Sequence, residues 1–133
     1  MNNKLFVAGS RTFIDKNFIW NILNSIKGRY KISKFISGGA IGVDSISEEW
    51  ARKNLVGFNG FTIDDLIIIK PEWDKYGKYE APKIRNEIMV KMLDPYVDVA
   101  CVFLDKFSNT GGTRHSIDML KKYKVQDILY FRG

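Results

Sequence analysis

The chain has 133 residues, of which 45% are apolar and 27% charged, and its formal net charge at pH 7 is +6. This composition suits one hydrophobic core, and no segment approaches the roughly 18 apolar residues that a membrane-spanning helix needs. The start of the chain carries no apolar signal segment and Cys101 is the lone cysteine, which excludes an internal disulfide and a thiolate metal cage. The sequence therefore predicts a soluble, cytoplasmic protein.

Apolar segments of two kinds alternate along the chain. Strand-like runs occupy residues 5–8, 35–37, 66–69, 97–104 and 128–131, and a segment of helical periodicity follows each of the first four. The first helix has Asp15 as a cap and Gly28 as a stop, and the third begins at about residue 81. The run 66–69 shows no alternation, which is typical of a strand buried on both faces.

About five parallel strands sandwiched by about four helices are expected from this alternation, in a single Rossmann-like α/β domain that spans residues 1–133. Residues 55–65 fit neither pattern. A loop, a hairpin and a surface for self-association all remain open for that segment.

The first strand is followed by Gly9, Ser10 and Arg11. Glycine allows close approach of the backbone, serine can donate to a phosphate oxygen, and arginine offers a planar fork for bidentate phosphate binding. Taken alone, these three residues also fit a simple turn with a solvent-facing arginine.

The second strand leads into a glycine-rich loop that opens the second helix. Its residues are Ser37, Gly38, Gly39, Ala40, Ile41, Gly42, Val43 and Asp44. Three glycines at such a junction give a ligand access to backbone amides, although a tight turn that packs the helix on the sheet has the same pattern. The spacing differs from the dinucleotide fingerprint and from the P-loop. Asp44 can bind a ribose hydroxyl or complement the helix dipole.

Two further segments follow the third and fourth strands. Trp73 begins a stretch of aromatic residues and lysines up to residue 79, which suits stacking on a base or a packed lid between strand and helix. Gly111, Gly112 and Thr113 open the last helix, whose free amides face outward. His115, the only histidine, is expected to be a polar surface residue rather than an acid or base.

Five motifs together give the chain a resemblance to a known family. They are Gly-Ser-Arg-Thr-Phe at 9–13, Ser-Gly-Gly-Ala-x-Gly-x-Asp at 37–44, Trp-Asp-x-Tyr-Gly-Lys at 73–78, Ile-Arg-Asn-x-x-Met at 84–89 and Gly-Gly-Thr at 111–113. In order and spacing they resemble the YspA-like, cpYpsA-related branch of the SLOG superfamily. That superfamily has a Rossmann-like fold, binds nucleotides or nucleotide-derived ligands, and includes the Lonely Guy phosphoribohydrolases and the DNA-processing DprA proteins. The resemblance implies that Arg85 and Asn86 also lie at the ligand.

One departure from the phosphoribohydrolases bears on catalysis. In those enzymes an arginine in a setting like that of Arg85 works with a glutamate shortly after the glycine loop, and no carboxylate occupies the corresponding stretch after Thr113. Cleavage of an N-glycosidic bond builds oxocarbenium character that a carboxylate stabilises. Asp44 and Glu48 are the candidates for that role, and binding is favoured over catalysis.

The sequence thus favours a sensor or sequestering protein that binds a nucleotide or nucleotide-derived small molecule through loops at the C-terminal ends of the strands. An N-glycoside hydrolase that acts on a nucleoside monophosphate, with Arg85 orienting the phosphoribose and either Asp44 or Glu48 as the carboxylate, is the alternative. Single-stranded nucleic-acid binding is favoured least, so nucleic acid is an improbable partner. A homodimer is an open option, and neither a membrane, a metal nor a cofactor is expected.

Overall fold

The computed structural model describes residues 2–133, and residue 1 of the predicted domain lies outside this range. The described residues form nine main elements, in chain order β1 (Asn2–Gly9), α1 (Lys16–Arg29), β2 (Lys31–Ser37), α2 (Val43–Asn54), β3 (Leu66–Ile68), α3 (Trp73–Lys91), β4 (Val99–Leu104), α4 (Gly112–Lys122) and β5 (Asp127–Arg132). A single 3-10 turn, Ile63–Asp65, precedes β3.

The strands of the described residues form one five-stranded sheet in the order β3-β2-β1-β4-β5, and every neighbouring pair is parallel. The chain moves outward from β1 to β3 and then returns to place β4 on the other side of β1. Because the direction of travel reverses there, β1 and β4 flank the topological switch point, where open parallel sheets hold their ligands. The predicted Rossmann-like α/β fold is confirmed.

Both faces of the sheet are covered by helices, which explains the continuous apolar runs of the central strands. In β1, Leu5 and Val7 belong to a core that α1 and α2 complete, with Trp50 fully buried in it. Phe6 and Ala8 alternate with them and belong to a second core against α3 and α4. Beyond these two cores, the loops lie at the C-terminal edge of the sheet.

Two details of β3 and α1 differ from the sequence-based expectations. The third strand is an edge strand, so its residues are only half-buried rather than enclosed on both faces. Asp15 does cap α1, since its Oδ1 accepts from the amide of Phe18 at 3.1 Å, but the helix continues through Gly28 and ends at Arg29. A glycine inside a helix is tolerated when packing of the apolar face stabilises the turns around it.

The third helix begins earlier than the periodicity indicated. It starts at Trp73 rather than near residue 81, and Gly77 interrupts it with φ 80° and ψ 174°. The expected loop of residues 73–79 is therefore the kinked first part of α3. Periodicity missed this part because its side chains are mostly exposed, and Ile88, expected on the inner side, is also exposed.

The segment of undecided conformation, residues 55–65, is a series of tight turns. Leu55 and Phe61 are buried in the core, and the amide of Gly57 donates to the carbonyl of Phe61 at 2.8 Å. Phe58 stays exposed, with the ammonium of Lys27 3.8 Å from its ring centroid. Ile63 in the same segment is exposed as well, and the homodimer remains a prediction.

No helix within residues 2–133 has the length and apolar content required to cross a bilayer.

Candidate functional site

A cavity of about 550 Å³ lies at the C-terminal edge of the sheet, where the loops after β1, β2, β3 and β4 meet α3. Most of the residues singled out from the sequence line it: Gly9, Ser10, Arg11, Gly38, Gly39, Ala40, Asp44, Trp73, Arg85, Asn86, Gly111, Gly112 and Thr113. Parallel strands explain this convergence, because their carboxyl ends all meet at one edge.

Three of the predicted site residues do not line the cavity. Ser37 is fully buried at the end of β2, and Gly42 lies behind the loop that follows β1. Glu48 is on α2, where its carboxylate is 3.1 Å from Nη2 of Arg52. The structure therefore does not bring Glu48 to the position that a role on a ligand requires.

Gly42 joins the loops that follow β1 and β2. Its φ is +78°, and a Cβ at this position would lie 2.5 Å from the carbonyl oxygen of Arg11. The next amide, that of Val43, donates to the carbonyl of Ser10 at 3.3 Å. Only glycine permits this backbone conformation and this approach together. Packing of one loop on the other thus accounts for the last glycine of the motif.

Arg85 bridges three parts of the cavity wall. Its Nη1 donates to the carbonyls of Gly38 and Ile69, the latter at 3.3 Å, and its Nε donates to Oδ1 of Asn86 at 2.9 Å. Burial lowers the pKa of Arg85, and the nearby charge of Asp44 opposes that shift. These bonds fix the guanidinium in place, and none of them uses its Nη2.

Asp44 is the one acidic residue that lines the cavity among the described residues. Only 8% of its surface is exposed, and its Oδ2 accepts from the amide of Ala40 at 3.2 Å. Burial raises its pKa from 3.8 to about 6, while the Ala40 amide and the positive charge of Arg85 act in the opposite direction. The cavity therefore contains a carboxylate that titrates near neutral pH.

Asn86 and His115 connect α3 to the beginning of α4. The Nδ2 of Asn86 lies 3.4 Å from the carbonyl of Gly112 and 3.3 Å from Nδ1 of His115. Partial burial lowers the pKa of His115, and the charge of Lys83 lowers it further. His115 does not line the cavity. It holds Asn86 in place from behind, and no group of three His, Cys, Asp or Glu within residues 2–133 is arranged to hold a metal ion.

A chain of hydrogen bonds ties the loops after β1 and β4 across the switch point. The hydroxyls of Ser10 and Thr12 are 2.7 Å apart, and Thr12 donates to Oδ2 of Asp105 at 2.6 Å. The other oxygen of Asp105 accepts from the amide of Phe107 at 3.0 Å. The hydroxyl of Ser10 is thus bonded within the protein, while the side chain of Arg11 between Ser10 and Thr12 stays exposed.

Several lining residues were missed from the sequence: Thr12, Lys70, Phe107, Thr110 and Ser116. Lys70 follows the end of β3 and Phe107 follows the end of β4, so position after a parallel strand was the signal that could have found both. Phe107 and Trp73 are 60% and 52% exposed, which places them at the mouth of the cavity. The charged side chains that line the cavity are the basic Arg11, Lys70 and Arg85 and the acidic Asp44.

The fold and this edge of converging loops define a Rossmann-like protein with a basic cavity at the switch point. The chain belongs to the YspA, cpYpsA-related SLOG family, whose model matches residues 3–76. It is similar to the Gene 61 protein of Mycobacterium phage D29, with 26% identity over 126 residues that cover 94% of each chain.

A solved structure of DNA processing protein A from Helicobacter pylori, described for its single-stranded DNA binding mode, has the same fold. The TM-score is 0.67 at 17% sequence identity, and the match covers 96% of this chain and 64% of that one. This chain therefore spans less than two thirds of the solved relative.

This comparison corrects the two main functional predictions made from the sequence. A free nucleotide or nucleotide-derived molecule was expected as the ligand, and nucleic acid was considered an improbable partner. The relative that shares the fold over nearly the whole chain is described by its binding of single-stranded DNA. Neither prediction is retained, and the N-glycoside hydrolase, which needs a nucleotide as its substrate, is not retained either. Of its two candidate carboxylates, Asp44 lines the cavity, while Glu48 is ion-paired outside it.

Proposed function

We propose that this protein binds single-stranded DNA in the cytoplasm, with backbone phosphate in the cavity and bases stacked at its mouth. The observation that carries the proposal is the position of two kinds of side chain around one opening: the basic Arg11 and Lys70, and the aromatic Trp73 and Phe107. Basic grooves bordered by exposed aromatic rings are the usual means of binding single strands. The fold shared with DNA processing protein A adds support.

The basic residues are suited to phosphate. Arg11 is exposed and Lys70 is exposed at the end of β3, and neither forms an ion pair within residues 2–133. Arg85 supplies a third, half-buried positive charge deeper in the cavity. Because unpaired cations need not break an internal bond to meet phosphate, their attraction to the strand is not offset by a lost ion pair.

The aromatic residues are suited to unpaired bases. Trp73 starts α3 and Phe107 is held by the bond from its amide to Asp105, so both rings lie on fixed backbone. A ring that is already positioned loses little conformational entropy when a base stacks on it. In a duplex the bases are stacked on each other and paired, which leaves no free face for these rings. The arrangement therefore favours single strands.

The salt dependence of binding tests the electrostatic part of this proposal. Fluorescence anisotropy of a labelled oligothymidylate is measured over a series of salt concentrations. Three phosphate contacts, from Arg11, Lys70 and Arg85, predict a slope of log K against log salt of about −2 for a single strand. Arg11→Ala removes one contact and reduces the slope by about 0.7. Lys31→Ala, at the start of β2 and thus at the opposite edge of the sheet, is the matched control and leaves the slope unchanged.

Aromatic substitutions test the stacking part. Trp73→Ala and Phe107→Ala each remove one stacking ring, which is expected to weaken binding by a factor of about 5 to 150. Tyr96→Ala is the control, because Tyr96 is 79% exposed and precedes β4 at the far edge. Thermal melts of all three variants identify any loss due to unfolding. Binding that is insensitive to salt and to both aromatic substitutions contradicts the proposal.

A further inference from the structure

The beginning of α4 faces the cavity without any internal partner for its amides. No side chain caps the helix at Gly111, and a Cβ placed on Gly111 or Gly112 would meet no atom within 4 Å. Gly111 has φ +82°, a conformation that by itself favours glycine, whereas Gly112 has neither a positive φ nor a close neighbour within residues 2–133 to account for it. The first amides of an α-helix lack intrahelical acceptors and carry a partial positive charge. An uncapped helix start of this kind alone does not define a site.

Two buried hydroxyls add an independent observation. Thr113 and Ser116 line the cavity with only 8% and 4% of their surfaces exposed. Neither hydroxyl makes a hydrogen bond within residues 2–133, and neither is one of the fully enclosed unpaired hydroxyls, which are those of Ser37 and Ser47. Both therefore open into the cavity. Each hydroxyl can therefore donate to an acceptor on a ligand that enters the cavity.

We propose that this deep end of the cavity receives the phosphorylated terminus of a DNA strand. The inference rests on the proposed function, and it specifies which part of the strand enters. The donors Thr113 and Ser116 are nearly enclosed, whereas Trp73 and Phe107 at the mouth are more than half exposed. Binding of an internal phosphate would require the nucleotides on both sides of it to enter the cavity. A terminal phosphate has a nucleotide on one side only, so a single strand end enters.

The number of donors also fits a terminal phosphate. A phosphomonoester has three strongly accepting oxygens and a charge between −1.5 and −2 near pH 7, while an internal diester has two free oxygens and one charge. The site offers two hydroxyls and the free amides at the start of α4, and Arg85 adds a positive charge to the same cavity. The following nucleotides then run outward past Trp73 and Phe107, where their bases stack.

The experiment compares single-stranded DNA of one sequence in four forms: circular, linear with hydroxyl ends, linear with a 5′-phosphate and linear with a 3′-phosphate. Binding is measured by competition against a labelled linear oligonucleotide. One of the phosphorylated forms is expected to bind at least tenfold more tightly than the circle and the hydroxyl-ended strand. Equal binding of all four forms overturns the inference and leaves the proposed function intact. Failure of every form to bind contradicts both.

Two variants assign the effect to the named hydroxyls. Thr113→Val and Ser116→Ala remove one hydroxyl each with little change of shape, and each loses a charge-assisted hydrogen bond. The preference for the phosphorylated end over the circle is expected to fall about tenfold or more in each. Ser25→Ala on α1 is the control, and thermal melts confirm folding. A preference that persists in both variants overturns the assignment.

Discussion

Asp44→Asn is expected to stabilise the protein at neutral pH, although it removes a charged group from the candidate site. Asp44 is buried, and burial raises its pKa in the folded protein from 3.8 to about 6. Above pH 6 the folded state must therefore keep an ionised carboxylate in a poorly hydrated position. Asparagine has a similar shape and retains an oxygen to accept the hydrogen bond from the amide of Ala40, but it is never ionised.

The sign and size of the effect follow from proton linkage. A group with a raised folded-state pKa contributes stability at low pH that is lost as pH rises, here between about 3.8 and 6. A shift of roughly two units corresponds to about 3 kcal/mol of unfolding free energy lost by pH 7.5. The same relation gives about half of this loss at pH 5 and only a small part of it at pH 4. The gain in unfolding free energy of Asp44→Asn over the native protein is therefore expected to be largest at pH 7.5, smaller at pH 5 and smallest at pH 4.

Urea denaturation at pH 7.5, 5 and 4, at constant ionic strength, measures this difference directly. The midpoint of the variant is expected to exceed that of the native protein most at pH 7.5, with an unchanged dependence of the free energy on urea. Asp64→Asn, an exposed aspartate without an ion pair in residues 2–133, serves as the control and shows no such trend. A variant that is less stable at pH 7.5, or equally advantaged at all three values, refutes the reasoning.

Two further predictions concern the loop junction and the thiol. Gly42→Ala is expected to cost about 2–4 kcal/mol of unfolding free energy, because φ is +78° and the added Cβ overlaps the carbonyl of Arg11. Gly57→Ala, at φ +87° in open space, tests strain alone and is expected to cost about 1 kcal/mol in the same urea titration. Cys101 is fully buried, and burial raises the pKa of its thiol, so a thiol reagent is expected to modify it only as fast as the protein unfolds. Modification faster than unfolding would contradict that burial.

The order of the elements could be predicted from the sequence because each signal was local. A strand buried on both faces is apolar throughout, and an amphipathic helix repeats its apolar residues every three to four positions. The start of α3 gave neither signal, since Trp73 and Tyr79 are exposed and Gly77 breaks the helical conformation. The edge position of β3 could not be predicted, because strand order depends on crossover connections rather than on composition.

The candidate site was predicted in part for the same reason. Gly9 at the end of β1 and the glycines directly after β2 marked the loops, and the parallel sheet brought them together. The different structural roles of the individual glycines could not be predicted from the sequence. Gly42 permits contact between two loops, while Gly111 faces open space, and that difference depends on neighbours far away in sequence. Asp105 was missed because its role arises from Thr12, 93 residues earlier.

The bonds of Arg85 have a consequence for comparing related sequences. This side chain holds the carbonyls of Gly38 and Ile69 together, so its loss would open the wall of the cavity as well as remove a charge. An arginine at this position in another protein then indicates that the loops are assembled in this way, whatever ligand they accept. Chemistry on the ligand must be inferred from the groups around it that have no bond within residues 2–133, which include Arg11, Lys70, Thr113 and Ser116.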